Sequence, residues 1–148
     1  MQCSAVVFPP LEALVPHRAP MILLDAVTAF DGPSVTCVAT VREGAMFVRE
    51  GAVPAAVFLE HMAQAAAAHA GLSAQGERPR KGYLVGAREV KLHVDGAPVG
   101  AHLTVRATLD WDDGVTALYL AEVCDDEGRA LASAQLNVHR GEARKLTP

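Results

Sequence analysis

Four side chains able to hydrogen-bond or move a proton, Glu60, His61, Gln64 and His69, are set into an otherwise apolar, alanine-rich run from Val53 to Gly71. Glu60 and Gln64 are four residues apart, so a helix carries them on one face. A carboxylate on a core helix is costly unless a neighbour pairs with it or a reaction uses it. Glu60 is therefore either a catalytic acid/base or a structural carboxylate, capped by a neighbour or reaching solvent. His17 stands between two prolines in Pro16-His17-Arg18-Ala19-Pro20; it is either a hydrogen-bonding structural residue or a base. His61, one step round the helix from Glu60, faces the core or a contact between chains, with a catalytic role as the remaining reading. His69 reads as structural, and His93, His102 and His139 fall in strand patterns without ligand spacing. No metal site and no cofactor are expected. No Gly-x-Ser-x-Gly elbow is present to support a serine hydrolase.

The elements that must position these groups follow from the pattern along the chain. Pro54 in a first turn and Gly71 as a stop bracket a buried central helix. Leu11–Leu14 suggests a short helical turn. Ile22–Phe30 and Ser34–Val41 read as strands, the second with Val35, Cys37, Ala39 and Val41 on one face. Arg42–Gly51 reads as irregular and Ser73–Lys81 as a polar loop. Gly82–Val94 reads as a long strand and Asp95-Gly96-Ala97-Pro98 as a turn. Leu103, Val105, Ala107 and Leu109 alternate with polar residues, and Asp113-Gly114 signals a hairpin into Val115–Cys124. Asp125-Asp126-Glu127-Gly128 turns the chain into Arg129–His139, and the tail from Gly141 reads as frayed. Short connections force antiparallel neighbours. An α+β architecture, an antiparallel sheet wrapped around one long helix, is the economical way to bury both.

The 148 residues suit one domain, 1–148. An apolar fraction of 51% excludes a disordered chain, and a net charge of −4 does not favour nucleic acid. Three cysteines, Cys3, Cys37 and Cys124, are odd in number and widely spaced, which fits a reducing cytoplasm better than a disulfide framework. Mid-strand Cys37 reads as an unreactive core thiol. Met1-Gln2-Cys3-Ser4 lacks a basic n-region, so no signal peptide is expected. The polar residues in the central helix make it a poor membrane span.

Three stretches together resemble the hotdog-fold β-hydroxyacyl-acyl carrier protein dehydratases. Pro16-His17-Arg18-Ala19-Pro20-Met21-Ile22-Leu23-Leu24-Asp25 resembles that family's P-H-R-x-P-x-L-L-x-D opening. Leu59-Glu60-His61-Met62-Ala63-Gln64 resembles its L-E-x-M-A-Q helix, and Val85–Leu92 is similar, more loosely, to the strand that follows. The A-P-M form of the opening is most similar to a divergent branch of predicted 3-hydroxyacyl-carrier-protein dehydratases, some of the aryl polyene type. The resemblance implies a homodimer, or a heterodimer with a second hotdog chain, with active sites at the seam. In the family a histidine of one subunit removes the C2 proton and a helix glutamate of the other helps water leave. That glutamate corresponds to Glu60, and Gln64 to the family's glutamine. The family's G-H-F-P falls on Ala45-Met46-Phe47-Val48; Met46 replaces the histidine and cannot accept a proton. Ala55 replaces the helix-start glycine whose N–H binds the thioester carbonyl, and still offers an N–H.

Three functions compete on this reading: dehydration of a 3-hydroxyacyl thioester through Glu60, with His17 or a partner's histidine; a non-catalytic or half-catalytic hotdog subunit; and thioester hydrolysis. The substrate is expected on acyl carrier protein or coenzyme A, near Gln64, Ala55, Met46 and Phe47. Arg78, Arg80, Lys81, Arg88 and Lys91 are either solvated surface or a docking patch for an acidic carrier protein.

Overall fold

The computed structural model describes residues 6–74 and 82–140. Cys3 and its neighbours, the cluster Arg78, Arg80 and Lys81, and the tail from Gly141 lie outside the described residues. The elements run α1 (Leu11–Leu14), β1 (Ala26–Phe30), β2 (Ser34–Thr40), β3 (Ala52–Pro54), a 3-10 turn (Ala55–Val57), α2 (Phe58–Ser73), β4 (Gly82–Leu92), β5 (Gly96–Pro98), β6 (His102–Asp112), β7 (Thr116–Cys124) and β8 (Ala130–Arg140).

Alternation builds the sheet. Val35, Cys37 and Ala39 on β2, Leu103, Val105 and Ala107 on β6, and Ala117, Tyr119, Ala121 and Val123 on β7 are all buried, as the period-2 geometry of a half-buried strand requires. Six strands lie in the order β1-β2-β6-β7-β8-β4, every neighbouring pair antiparallel. α2 lies on the inner face against β2, β6 and β7, with α1 on its other side. Its Phe58, Met62, Ala65, Ala66 and Ala68 are buried; the short alanine side chains bring the sheet close to the helix axis. The wrapped sheet and single long helix are the hotdog fold. Asp113 shapes the β6–β7 hairpin by accepting the Val115 and Thr116 N–H groups.

Several boundaries differ from the sequence reading, each for a physical reason. Pro54 does not open the helix. It ends β3, which pairs with β5 as Pro54↔Gly96, and α2 begins at Phe58 after the 3-10 turn. Gly96 therefore belongs to a short strand rather than a turn, and a Cβ there would lie 2.1 Å from the Val53 carbonyl oxygen. Gly71 is no stop either, since α2 continues to Ser73. A Cβ on Gly71 would lie 2.4 Å from the Leu14 carbonyl oxygen, so the glycine lets α1 press against α2. The strand expected from Ile22 starts at Ala26, because the backbone at Met21 and Leu23 bonds to Gln64 instead.

Candidate active site

The loop between α1 and β1 is fastened before it reaches the helix. Arg18 Nη1 donates to the carbonyls of Glu12, Val15 and His17, gathering the turn that presents the His17 ring. At the loop's other end, Asp25 accepts the Thr40 N–H and pairs with Arg42 at 2.6 Å, a structural use of that carboxylate. Between these anchors, Gln64 is fully buried. Its Oε1 accepts the Leu23 N–H at 2.8 Å, so its Nε2 must face the other way, donating to Met21 O at 2.6 Å and to Glu60 Oε1 at 3.0 Å. His17 Nε2 lies 3.2 Å from the same Glu60 oxygen. His17 and Gln64 therefore converge on Glu60 Oε1. The Glu60 side chain is 32% exposed and forms part of a cleft wall.

The cleft has a volume of about 780 Å³ and runs along the α2 face bearing Ala63, Ala67 and Ala70. His69, Tyr119, Asp112 and Arg140 also line it. His69 Nε2 donates to Gly32 O at 2.6 Å, which leaves Nδ1 to accept from the Tyr119 hydroxyl at 2.9 Å. Burial holds the His69 pKa down, and the hydrogen bond to Gly32 O only partly opposes this. Arg140 pairs with Asp112 at 2.9 Å. His69 reads as structural from the sequence, and the other three carry no signal there, since Tyr119, Asp112 and Arg140 come from different strands with no motif joining them.

Comparison with protein families decides the kinship. The ApeP-like family, described as ApeP dehydratase, matches residues 9–147. This chain belongs to that family. No curated protein sequence matches it. Among solved structures, it is similar to the dehydratase heterocomplex ApeI:P from Xenorhabdus doucetiae, with a TM-score of 0.86 and 27% identity over 95% of this chain and 96% of that one. It shares its fold with a hypothetical thioesterase bound to coenzyme A from Streptococcus pneumoniae TIGR4, at TM-score 0.63 and 12% identity, covering 81% of this chain and 88% of that one. The acetyl-CoA-bound smu.793 from Streptococcus mutans UA159 is a further fold relative, at TM-score 0.66 and 13% identity, covering 88% and 97%.

In this ApeP-like chain the remaining expected site residues lie apart from Glu60. Met46 and Phe47 line a second hollow of about 320 Å³ together with Arg42, Val57 and His61, and Met46 is 49% exposed. His61 does not join the Glu60 cleft. It is buried, with Nδ1 against Val57 O at 3.1 Å, and desolvation lowers its pKa despite that contact. Ala55 corrects the expectation of a free helix-start donor: its N–H donates to Asp95 O at 2.8 Å, extending the β3–β5 ladder. Among the described residues no three His, Cys, Asp or Glu side chains group as metal ligands, and no helix is long and apolar enough to cross a membrane.

Proposed function

We propose that this ApeP-like chain dehydrates a 3-hydroxyacyl thioester to the trans-2-enoyl thioester, as one half of an assembly of two hotdog chains. The observation that carries this reading is the Glu60 carboxylate on the wall of the cleft, with Oε1 met by both His17 and Gln64. Dehydration needs a proton delivered to the C3 hydroxyl and another taken from C2. Glu60 in its carboxylic-acid form delivers the first, the C3–O bond breaks, water leaves, and Glu60 is left as the carboxylate. A base on the second chain takes the C2 proton, and the electrons of that C–H bond form the C2=C3 double bond. The second chain is invoked because Met46 stands where the related dehydratases carry their histidine.

The sheet edge supports such a partner. Among the described residues β4 pairs with β8 alone, and it exposes Tyr83, Leu84, Val85, Val90 and Leu92. A long apolar edge invites pairing with another chain, and Gly82, Tyr83 and Leu84 also border the cleft. The heterocomplex form of the Xenorhabdus relative points the same way. Arg88 and Lys91 on this exposed strand offer positive charge to an acidic carrier protein, which fits an acyl-carrier-protein-bound substrate in fatty-acid or polyene-type biosynthesis.

The test is to incubate the chain, alone and with candidate hotdog partners, with 3-hydroxyacyl thioesters of acyl carrier protein and of coenzyme A. Enoyl product that appears with a partner and is abolished by Glu60→Gln supports the proposal. Product unaffected by Glu60→Gln, or release of free thiol without enoyl product, overturns it; the second result would identify a thioesterase.

A further inference from the structure

The two nitrogens of His17 differ in their surroundings. Nδ1 is buried with no hydrogen-bond partner among the described residues. Nε2 lies 3.2 Å from Glu60 Oε1, and the ring borders the cleft. A neutral imidazole carries one proton, and the two locations are unequal here. On Nδ1 the proton would be a buried N–H without an acceptor, which is costly. On Nε2 it faces a carboxylate oxygen. A histidine acting as a base at Nε2 must hold its resting proton on Nδ1, normally against an acceptor that orients the ring. After taking a second proton it would still present that orphaned Nδ1–H.

Glu60 has a matching asymmetry. Oε1 receives the Gln64 amide and faces the His17 Nε2. The Gln64 amide cannot turn away, because its own oxygen is committed to the Leu23 N–H. Oε2 has no donor from the described residues, in a side chain that lines the cleft.

We infer that His17 is a positioning residue and not the base: as a neutral ring protonated on Nε2 it steadies Glu60 Oε1, together with Gln64, and leaves Oε2 as the atom that passes a proton to substrate. This rests on the dehydratase reading for the role of Oε2, but not for the tautomer. The proton leaving Oε2 goes to the departing hydroxyl, so Glu60 ends that step as the carboxylate that His17 and Gln64 hold.

Two measurements test it separately. Long-range ¹H–¹⁵N correlation on the full-length chain, at a pH where the ring carries one proton and with His17 assigned by its absence in His17→Gln, is expected to give a protonated Nε2 and an unprotonated Nδ1. A predominant Nδ1–H tautomer overturns the inference whether or not the chain is an enzyme. In the active assembly, glutamine places an N–H group at the reach of Nε2, whereas asparagine reaches only to Nδ1. His17→Gln is expected to keep kcat within about tenfold of the unaltered chain, while His17→Asn loses about 100-fold, the cost typical of a displaced catalytic group. KM should stay nearly constant in both. Equal kcat in the two variants, retained or lost, overturns the positioning role. An unaltered assembly without enoyl product would sink the proposed function alone, and the spectrum would still decide the tautomer.

Discussion

The Gln64 side chain joins Glu60 to a backbone segment distant in sequence: its nitrogen donates to Glu60 Oε1 at 3.0 Å and to Met21 O, while its oxygen takes the Leu23 N–H. The glutamine thus ties the loop before β1 to α2 and orients the carboxylate at the same time. Stability and chemistry share one buried amide.

Gln64→Leu separates the two contributions. The leucine would fill much of the space but would leave the Leu23 N–H and the Met21 carbonyl without their partner. At about 1–3 kcal/mol for each of the two unsatisfied groups, a loss of about 2–6 kcal/mol in unfolding free energy is expected. A shift of the urea midpoint with unchanged m-value measures it. A change below about 0.5 kcal/mol, the usual range for neutral surface substitutions, would mean that water replaces the amide.

Gly71→Ala is expected to destabilise, although alanine is the better helix former by about 1 kcal/mol. The added Cβ would meet the Leu14 carbonyl oxygen at 2.4 Å, and that obstacle is backbone, so α1 must move away from α2. Overpacking of this kind costs about 1–3 kcal/mol. Thermal unfolding of the variant is the measurement, and a raised Tm would show that α1 yields freely.

Much of the architecture could be read from the residues. Alternation along Leu103, Val105 and Ala107 marked β6, and Asp113-Gly114 marked its hairpin, because both signals are local. The cluster Glu60 and Gln64 was legible because four-residue spacing on a helix is also local. What escaped depended on long-range packing. Pro54 and Gly96 form strands only because they pair with each other. The donor at Ala55 is engaged by Asp95, a residue that no spacing rule connects with it. Tyr119, Asp112 and Arg140 line the cleft together only through strand register.

Acid should weaken the fold through His61 and His69. Burial lowers both pKa values below the ordinary 6.5, so the unfolded chain binds protons that the folded chain excludes. Stability is then full above that unfolded value and falls as pH drops below about 6.5, by at most about 1.4 kcal/mol per pH unit for each histidine. His69→Gln can keep a donor to Gly32 O and an acceptor for Tyr119 while removing the titration. Its unfolding free energy should fall less steeply between neutral pH and pH 5 than that of the unaltered chain. Identical slopes would assign the acid response elsewhere.

Burial also governs Cys37. Its thiol is inaccessible in the β2 core and its pKa is pushed up to about 12, so almost no thiolate exists near neutral pH. In a chain carrying Cys3→Ser and Cys124→Ser, alkylation of the remaining thiol is expected to be negligible at pH 8 and rapid in denaturing urea. Fast modification of the folded protein would show that β2 opens readily.

The separation of Met46 from Glu60 gives the most direct test of a site shared between chains. Within one chain the two residues line different hollows, so an imidazole introduced at position 46 is expected to miss the Glu60 of its own chain. It is then left to serve a carboxylate brought by another copy. A chain carrying both Met46→His and Glu60→Gln has no carboxylate to offer, and the unaltered chain without its partner lacks the base. Each should be inactive alone toward a 3-hydroxyacyl thioester. Mixed under conditions that exchange subunits, they form dimers in which the introduced imidazole faces an unaltered Glu60, and turnover should rise by about 100-fold or more over either alone, the contribution typical of a positioned general base. If the single variant Met46→His is active as a proven monomer, the two hollows communicate within one chain and the shared-site reading fails. If the mixture exchanges subunits and stays inactive, position 46 is not where the missing base belongs.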